Sequence, residues 1–153
     1  MQPISILLLY ASHTGNETLS YQTGWPRYFL KHPGFRCITV NLAQQDWLQR
    51  LKNHIVVWRG GFEAIIILHS VFSNSCFLSD KLSGTLASCP QPMVFFLGNE
   101  YKLMPEKMAL CERLSVALLV SQSHSPVLHR LYHDRLGCRQ GAFWPNDSVW
   151  EAR

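Results

Sequence analysis

The chain has 153 residues, of which 47% are hydrophobic and only 16% charged. That length suits one domain with a sizeable core, and no apolar stretch approaches the roughly 18 to 20 residues needed to cross a membrane. The formal net charge of +4 is spread over single Lys and Arg residues rather than a stripe, which argues against a nucleic-acid-tracking surface.

The first element is an apolar run, Ile4 to Tyr10, that stops at Ser12-His13-Thr14-Gly15-Asn16. Nearly continuous Ile and Leu without alternation is what a strand covered on both faces requires. Met1-Gln2-Pro3 leads straight into it, so no signal or transit peptide is expected. Ser12 to Gly24 is small and polar, and Gly24 with Pro26 should interrupt any helix from Asn16 to Lys31. A long loop followed by a short helix over Pro26 to Lys31 is therefore predicted. A second strand follows over Phe35 to Leu42, and then a helix from Asp46 to His54, with Asp46 as N-cap and Trp47, Leu48 and Leu51 along one face.

Three more runs repeat the opening pattern. Ala64 to Leu68 ends at His69-Ser70, Met93 to Leu97 at Gly98-Asn99-Glu100, and Val116 to Val120 at Ser121-Gln122-Ser123. Helices are predicted over Leu78 to Leu86, Pro105 to Leu114 and Pro126 to Leu136, the last two with proline in the first turn. A last strand is expected over Gly141 to Trp144, and Asp147 to Arg153 reads as a tail or the start of a linker. Alternating strands and helices imply an α/β domain: an open, three-layer, doubly wound sheet of about six mostly parallel strands with helices on both faces. A single domain is expected over residues 1 to 153, with 147 to 153 as its tail or the start of a linker.

Such a sheet gathers ligand-facing groups at the carboxyl ends of its strands. Ser12, His13, Thr14, Gly15 and Asn16 would cradle a phosphate or a sugar hydroxyl, and Ser70, Asn99, Tyr101, Ser121 and Gln122 would bind substrate around them. His69 and Glu100 are the candidate catalytic bases, because an imidazole or carboxylate at the mouth of a sheet can take a hydroxyl proton. The competing readings are a capping role for His69, a solvated Glu100 pair with Lys102 or Lys107, and a wet helix face for Glu106 and Lys107. No Gly-x-Gly-x-x-Gly, Walker A or Gly-x-Ser-x-Gly pattern occurs. No metal is expected: His129 and His133 stand four apart, but Arg130 follows His129 where a zincin has glutamate. Five scattered cysteines, Cys37, Cys76, Cys89, Cys111 and Cys138, contain no Cys-x-x-Cys pair, so a reduced, cytoplasmic chain is expected.

Two families share parts of this pattern. The opening ILLLYASHTGNET resembles the phosphate loop of flavodoxins, with Ser12, Thr14 and Gly15 matching and Glu17 in place of the last threonine. That likeness implies, as an alternative, an FMN-binding electron carrier with Phe72 or Tyr101 as ring-stacking partner. The stretch from Ala64 to Asn146, above all VFFLGNEYKLMPEKMALCERLSVALLVSQS and LYHDRLGC, is similar to the N-terminal Rossmann-like half of a bacterial GT-B glycosyltransferase. LLLYAS and WPRYFLKHPGFRCITVNL fit the same layout. The resemblance implies an acceptor-side domain without cofactor, facing a sugar or lipid acceptor and partnered by a C-terminal nucleotide-sugar domain. Nothing after Asn146 would build that second half, and no Glu-x7-Glu motif is present, so these residues alone are expected not to transfer sugar. A further alternative is a non-catalytic interaction module, since the fold does not by itself confer activity.

Overall fold

The computed structural model describes residues 2–13, 20–43 and 46–142. Thr14, Gly15, Asn16, the Phe143 and Trp144 end of the expected last strand, and the Asp147 to Arg153 tail lie outside the described residues. The elements run β1 (Ile4–Tyr10), α1 (Ser20–Lys31), β2 (Phe35–Asn41), α2 (Trp47–Arg59), β3 (Ala64–Ile67), a single 3-10 turn (His69–Val71), α3 (Asp80–Ala87), β4 (Met93–Leu97), α4 (Met104–Arg113), β5 (Leu118–Ser121), α5 (Pro126–Leu136) and β6 (Arg139–Ala142). The six strands form one sheet in the order β2-β1-β3-β4-β5-β6, every pair parallel. This is the predicted open α/β sheet.

The winding reverses at β1, and the core divides accordingly. Leu7 and Leu9 of β1 point into one apolar cluster with Ile65, Ile67, Phe95 and Leu119, covered by Val57 of α2, Leu82 and Leu86 of α3, Met108 and Cys111 of α4 and Tyr132 of α5. Ile6 and Leu8 point into the other with Ile66, Phe96 and Val120, against Trp25 and Phe29 of α1. The connection from β1 to β2 runs toward one edge of the sheet and those through α2 to α5 run toward the other, so crossovers of one hand place α1 on one face and α2 to α5 on the opposite face. Burial on both faces is why β1 reads as a nearly continuous apolar run, interrupted only by Ser5.

Helix α3 and strand β5 start two residues later than expected, at Asp80 and Leu118, and three further departures concern α1, β6 and α2. Helix α1 starts at Ser20 and runs through Pro26 to Lys31 instead of beginning at Pro26. Proline forfeits one intrahelical hydrogen bond, but Pro26 is itself buried and its neighbours Trp25 and Phe29 dock on the sheet, so packing outweighs local propensity. Strand β6 starts at Arg139, two residues before the predicted start, because the ladder with β5 already holds Arg139 and Gln140 opposite Leu118 and Leu119. Helix α2 extends to Arg59 and presents Trp47, Leu48 and Leu51 on a shared face, but that face is turned to solvent while Asn53 and Val57 are buried. The predicted caps are present: Asp46 Oδ1 accepts from Gln49 N at 2.6 Å, and Pro105 and Pro126 occupy the first turns of α4 and α5.

Candidate functional site

At the β1/β3 switch point, Ala11 N donates to Ser70 Oγ at 3.1 Å in a buried bond. Ser12 is tied to the edge strand by Asn41, whose Oδ1 accepts from Ser12 N (3.0 Å) and whose Nδ2 donates to Ser12 O (2.8 Å). This two-point clamp aligns the ends of β1 and β2, and sequence reading passed over Asn41 because an asparagine at a strand end looks like an ordinary turn residue. His13 is exposed, with its ring 5.7 Å from that of Phe77.

His69 opens the 3-10 turn after β3 and is only 4% exposed. Its ring meets the Trp25 indole edge-on at 6.1 Å. Burial lowers its pKa to about 4, so the imidazole is neutral at physiological pH. Gly98, at the end of β4, lies so close that a Cβ there would stand 2.8 Å from His69 Cβ. The strand-end glycine is thus a packing requirement.

The loop after β4 carries the densest hydrogen bonding of the rim. Asn99 adopts φ 48, a left-handed conformation that asparagine tolerates better than most residues. Its Nδ2 donates to Ser73 Oγ (2.6 Å) and Asn74 Oδ1 (3.2 Å), and its backbone N–H donates to Gln122 Oε1 (3.2 Å). Glu100 ties β4 to β5. Its Oε1 accepts from Ser121 Oγ (2.7 Å), Gln122 N (2.7 Å) and Ser123 N (3.0 Å), and its Oε2 accepts from Tyr132 OH (2.7 Å). Burial first, then the hydrogen bond to Glu100 and its charge, raise the Tyr132 phenol well above its ordinary pKa and keep it a donor.

Lys107 overturns the expectation of a wet helix face. It is fully buried, and Nζ donates to Gly98 O (2.6 Å) and Asn99 O (3.0 Å) while lying 5.7 Å from the Phe72 ring centroid. Burial lowers its pKa and the nearby Glu100 charge partly offsets this. The signal was its place on the Met104, Lys107, Met108, Cys111 stripe, which an i, i+3, i+4 count puts on the inner side of α4. Tyr132 gives the same signal between Leu128 and Leu136. Phe72, offered as a flavin-stacking ring, is 5% exposed and packed in the core, because its face is taken by Lys107 and the apolar cluster.

Asn99, Glu100, Ser121 and Gln122 therefore form one network, and Ser12, His69 and Ser70 surround the neighbouring switch point. Tyr101 stands apart, 79% exposed, with Lys102 Nζ 5.6 Å from its ring centroid. The two helical histidines are each engaged with a backbone carbonyl: His129 Nε2 with Ser123 O (2.6 Å) and His133 Nδ1 with Cys138 O (3.1 Å). Among the described residues, no group of three or more potential metal ligands occurs. All five cysteines are free thiols, and no described helix is long and apolar enough to cross a membrane.

Fold and rim together define a Rossmann-like α/β domain with a polar, internally cross-linked carboxyl edge. No family model matches the chain, and no curated protein or solved structure matches it.

Proposed function

We propose that this domain is the acceptor-side wall of a GT-B-like glycosyltransferase, binding the hydroxyl-rich end of a sugar or lipid acceptor along the carboxyl ends of β3, β4 and β5. The observation that carries the reading is the cross-linking of Asn99, Glu100 and Gln122 into one rigid rim. Amides and hydroxyls held by fixed partners suit recognition of sugar hydroxyls, whereas both Glu100 oxygens already accept hydrogen bonds and His69 is buried. In this reading Glu100 is a positioning residue and the rim is a binding wall. The nucleotide-sugar half of such an enzyme is a second domain, which the six strands described here do not supply.

The test is a titration of the isotope-labelled chain with simple glycosides and with UDP- and GDP-sugars, followed by amide chemical shifts. Glycosides should move Ser70, Asn99 and Gln122, and nucleotide sugars should leave them in place. Turnover of a nucleotide sugar by the 153 residues alone, or no response to any glycoside, overturns the proposal.

One observation favours a second reading. With β1 between β2 and β3, the first five strands follow the order of flavodoxins, whose FMN sits at the β1/β3 switch point. The buried Phe72 leaves Tyr101 as the one exposed ring of the two stacking candidates. A colourless protein that ignores added FMN removes this reading, and a tightly held yellow cofactor establishes it over the first.

A further inference from the structure

Helix α2 wears most of its apolar residues on the outside, Val56 and Val57 alone turning to the core. Trp47 is 71% exposed, Trp58 82%, and Leu48, Leu51 and Ile55 between them are 49%, 52% and 43% exposed. At 100° per residue these five fall within an arc of about 100°, and the two indoles are separated by about 16 Å along the axis. The same count places Arg50 and His54 on one flank of the arc and Lys52 and Arg59 on the other. The helix contains no Asp or Glu, and the Asp46 carboxylate before it caps the Gln49 N–H. Between α2 and α3 runs an open groove of about 720 Å³, lined on the far side by Ser79, Lys81 and Thr85; among the described residues no carboxylate lines it, and the nearby Asp80 is paired with Arg113 at 3.6 Å.

An apolar arc with a tryptophan near each end of the helix axis and cations along its borders, Arg50 on one side and Lys52 and Arg59 on the other, is the pattern of a helix lying in a membrane interface; burial and Lys81 lower the His54 pKa, so that imidazole is not counted among them. We propose that α2 seats this domain on an anionic lipid surface, its Trp and Leu side chains at the acyl boundary and Arg50, Lys52 and Arg59 among the lipid phosphates. Charge decides against the simplest alternative. A second copy pairing through the same face would bring basic border against basic border with no carboxylate from either helix to separate them. An anionic surface answers both borders at once. The inference rests on α2 alone and does not depend on which ligand the strand-end rim takes.

The experiment is co-sedimentation of the full chain with vesicles of phosphatidylcholine, with and without 30 mol% phosphatidylglycerol, together with tryptophan emission. Binding should be roughly tenfold or more stronger to the anionic vesicles at low salt and weaken as salt is raised. The Leu51→Glu/Ile55→Glu double variant, at two half-exposed positions, should keep the native circular dichroism spectrum and lose roughly tenfold or more of the binding. Lys52→Gln/Arg59→Gln should lose about as much on anionic vesicles only. The emission blue shift should shrink in Trp58→Phe. The inference is overturned by any of three results. One is equal sedimentation with and without anionic lipid. Another is a concentration-dependent dimer that the double Glu variant abolishes. The third is equally tight binding of polyglutamate that displaces the vesicles, which would assign the face to an acidic protein.

Discussion

Replacing Glu100 tests whether the rim is a single cross-linked unit. Its carboxylate accepts four hydrogen bonds of 2.7 to 3.0 Å from two backbone amides, one hydroxyl and one phenol. Hydrogen bonds to a charged group contribute about 1.5–3 kcal/mol each, but Glu100 is only partly buried, so water re-solvates some of the abandoned donors and the four do not add. Glu100→Ala should therefore destabilise the fold by about 3 kcal/mol, which for a domain of this size lowers Tm by roughly 6–12 °C. Glu100→Gln keeps an oxygen for the three donors on Oε1 and lets the Tyr132 oxygen accept from its amide, so it should cost about 1 kcal/mol. Urea unfolding at pH 7 measures both, and amide exchange at Gln122 and Ser123 should speed up in the Ala variant before the rest of β5 does. An Ala variant within about 0.5 kcal/mol of the parent, with unchanged exchange, would refute the picture of Glu100 as the tie between β4 and β5.

Acid sensitivity should trace largely to His69. The unfolded chain takes up this proton near 6.5 and the folded chain only near 4, so the unfolded state binds more protons between those values and stability falls as pH is lowered through the window. The gap corresponds to about 3 kcal/mol, and the slope of unfolding free energy against pH from 6.5 to 4 should be clearly shallower in His69→Asn, whatever that variant does to stability at pH 7. Gly98→Ala should cost about 1–3 kcal/mol in urea unfolding, because its new methyl meets His69 Cβ at 2.8 Å, and a neutral result would mean that the 3-10 turn yields freely. Lys107→Met keeps the stem against Phe72 but leaves the Gly98 and Asn99 carbonyls without their donor, an expected loss of about 2–3 kcal/mol by thermal unfolding; an unchanged Tm would show that water replaces the ammonium.

Strand and helix periodicity makes most of the architecture legible in the sequence. β1 and β4 fall on the predicted residues, α5 does so to the residue, and the Asp46, Pro105 and Pro126 helix starts lie where local chemistry puts them. These features depend on interactions within a few residues, which is the range a sequence pattern reports. α1 is the instructive failure: Gly24 and Pro26 signal a break, and only the docking of Trp25 and Phe29 on a distant sheet explains why the helix continues. The rim divides along the same line. Asn99, Glu100, Ser121 and Gln122 were legible as polar residues at strand ends. Their partners were not, because Lys107 and Tyr132 reach the rim from helices whose inward rotation is decided by packing.

The sequence by itself determined the class of fold, the alternation of elements and the fact that polar groups collect where apolar runs stop, because all three follow from local hydrophobic period and turn chemistry. Tertiary structure alone decided which of those groups face one another, that a lysine is buried and a glutamate shared by four donors, and that the apolar side of α2 faces outward. Each depends on how elements distant in the chain rotate and pair, and the period of a helix tells which residues share a face without telling which way that face will turn.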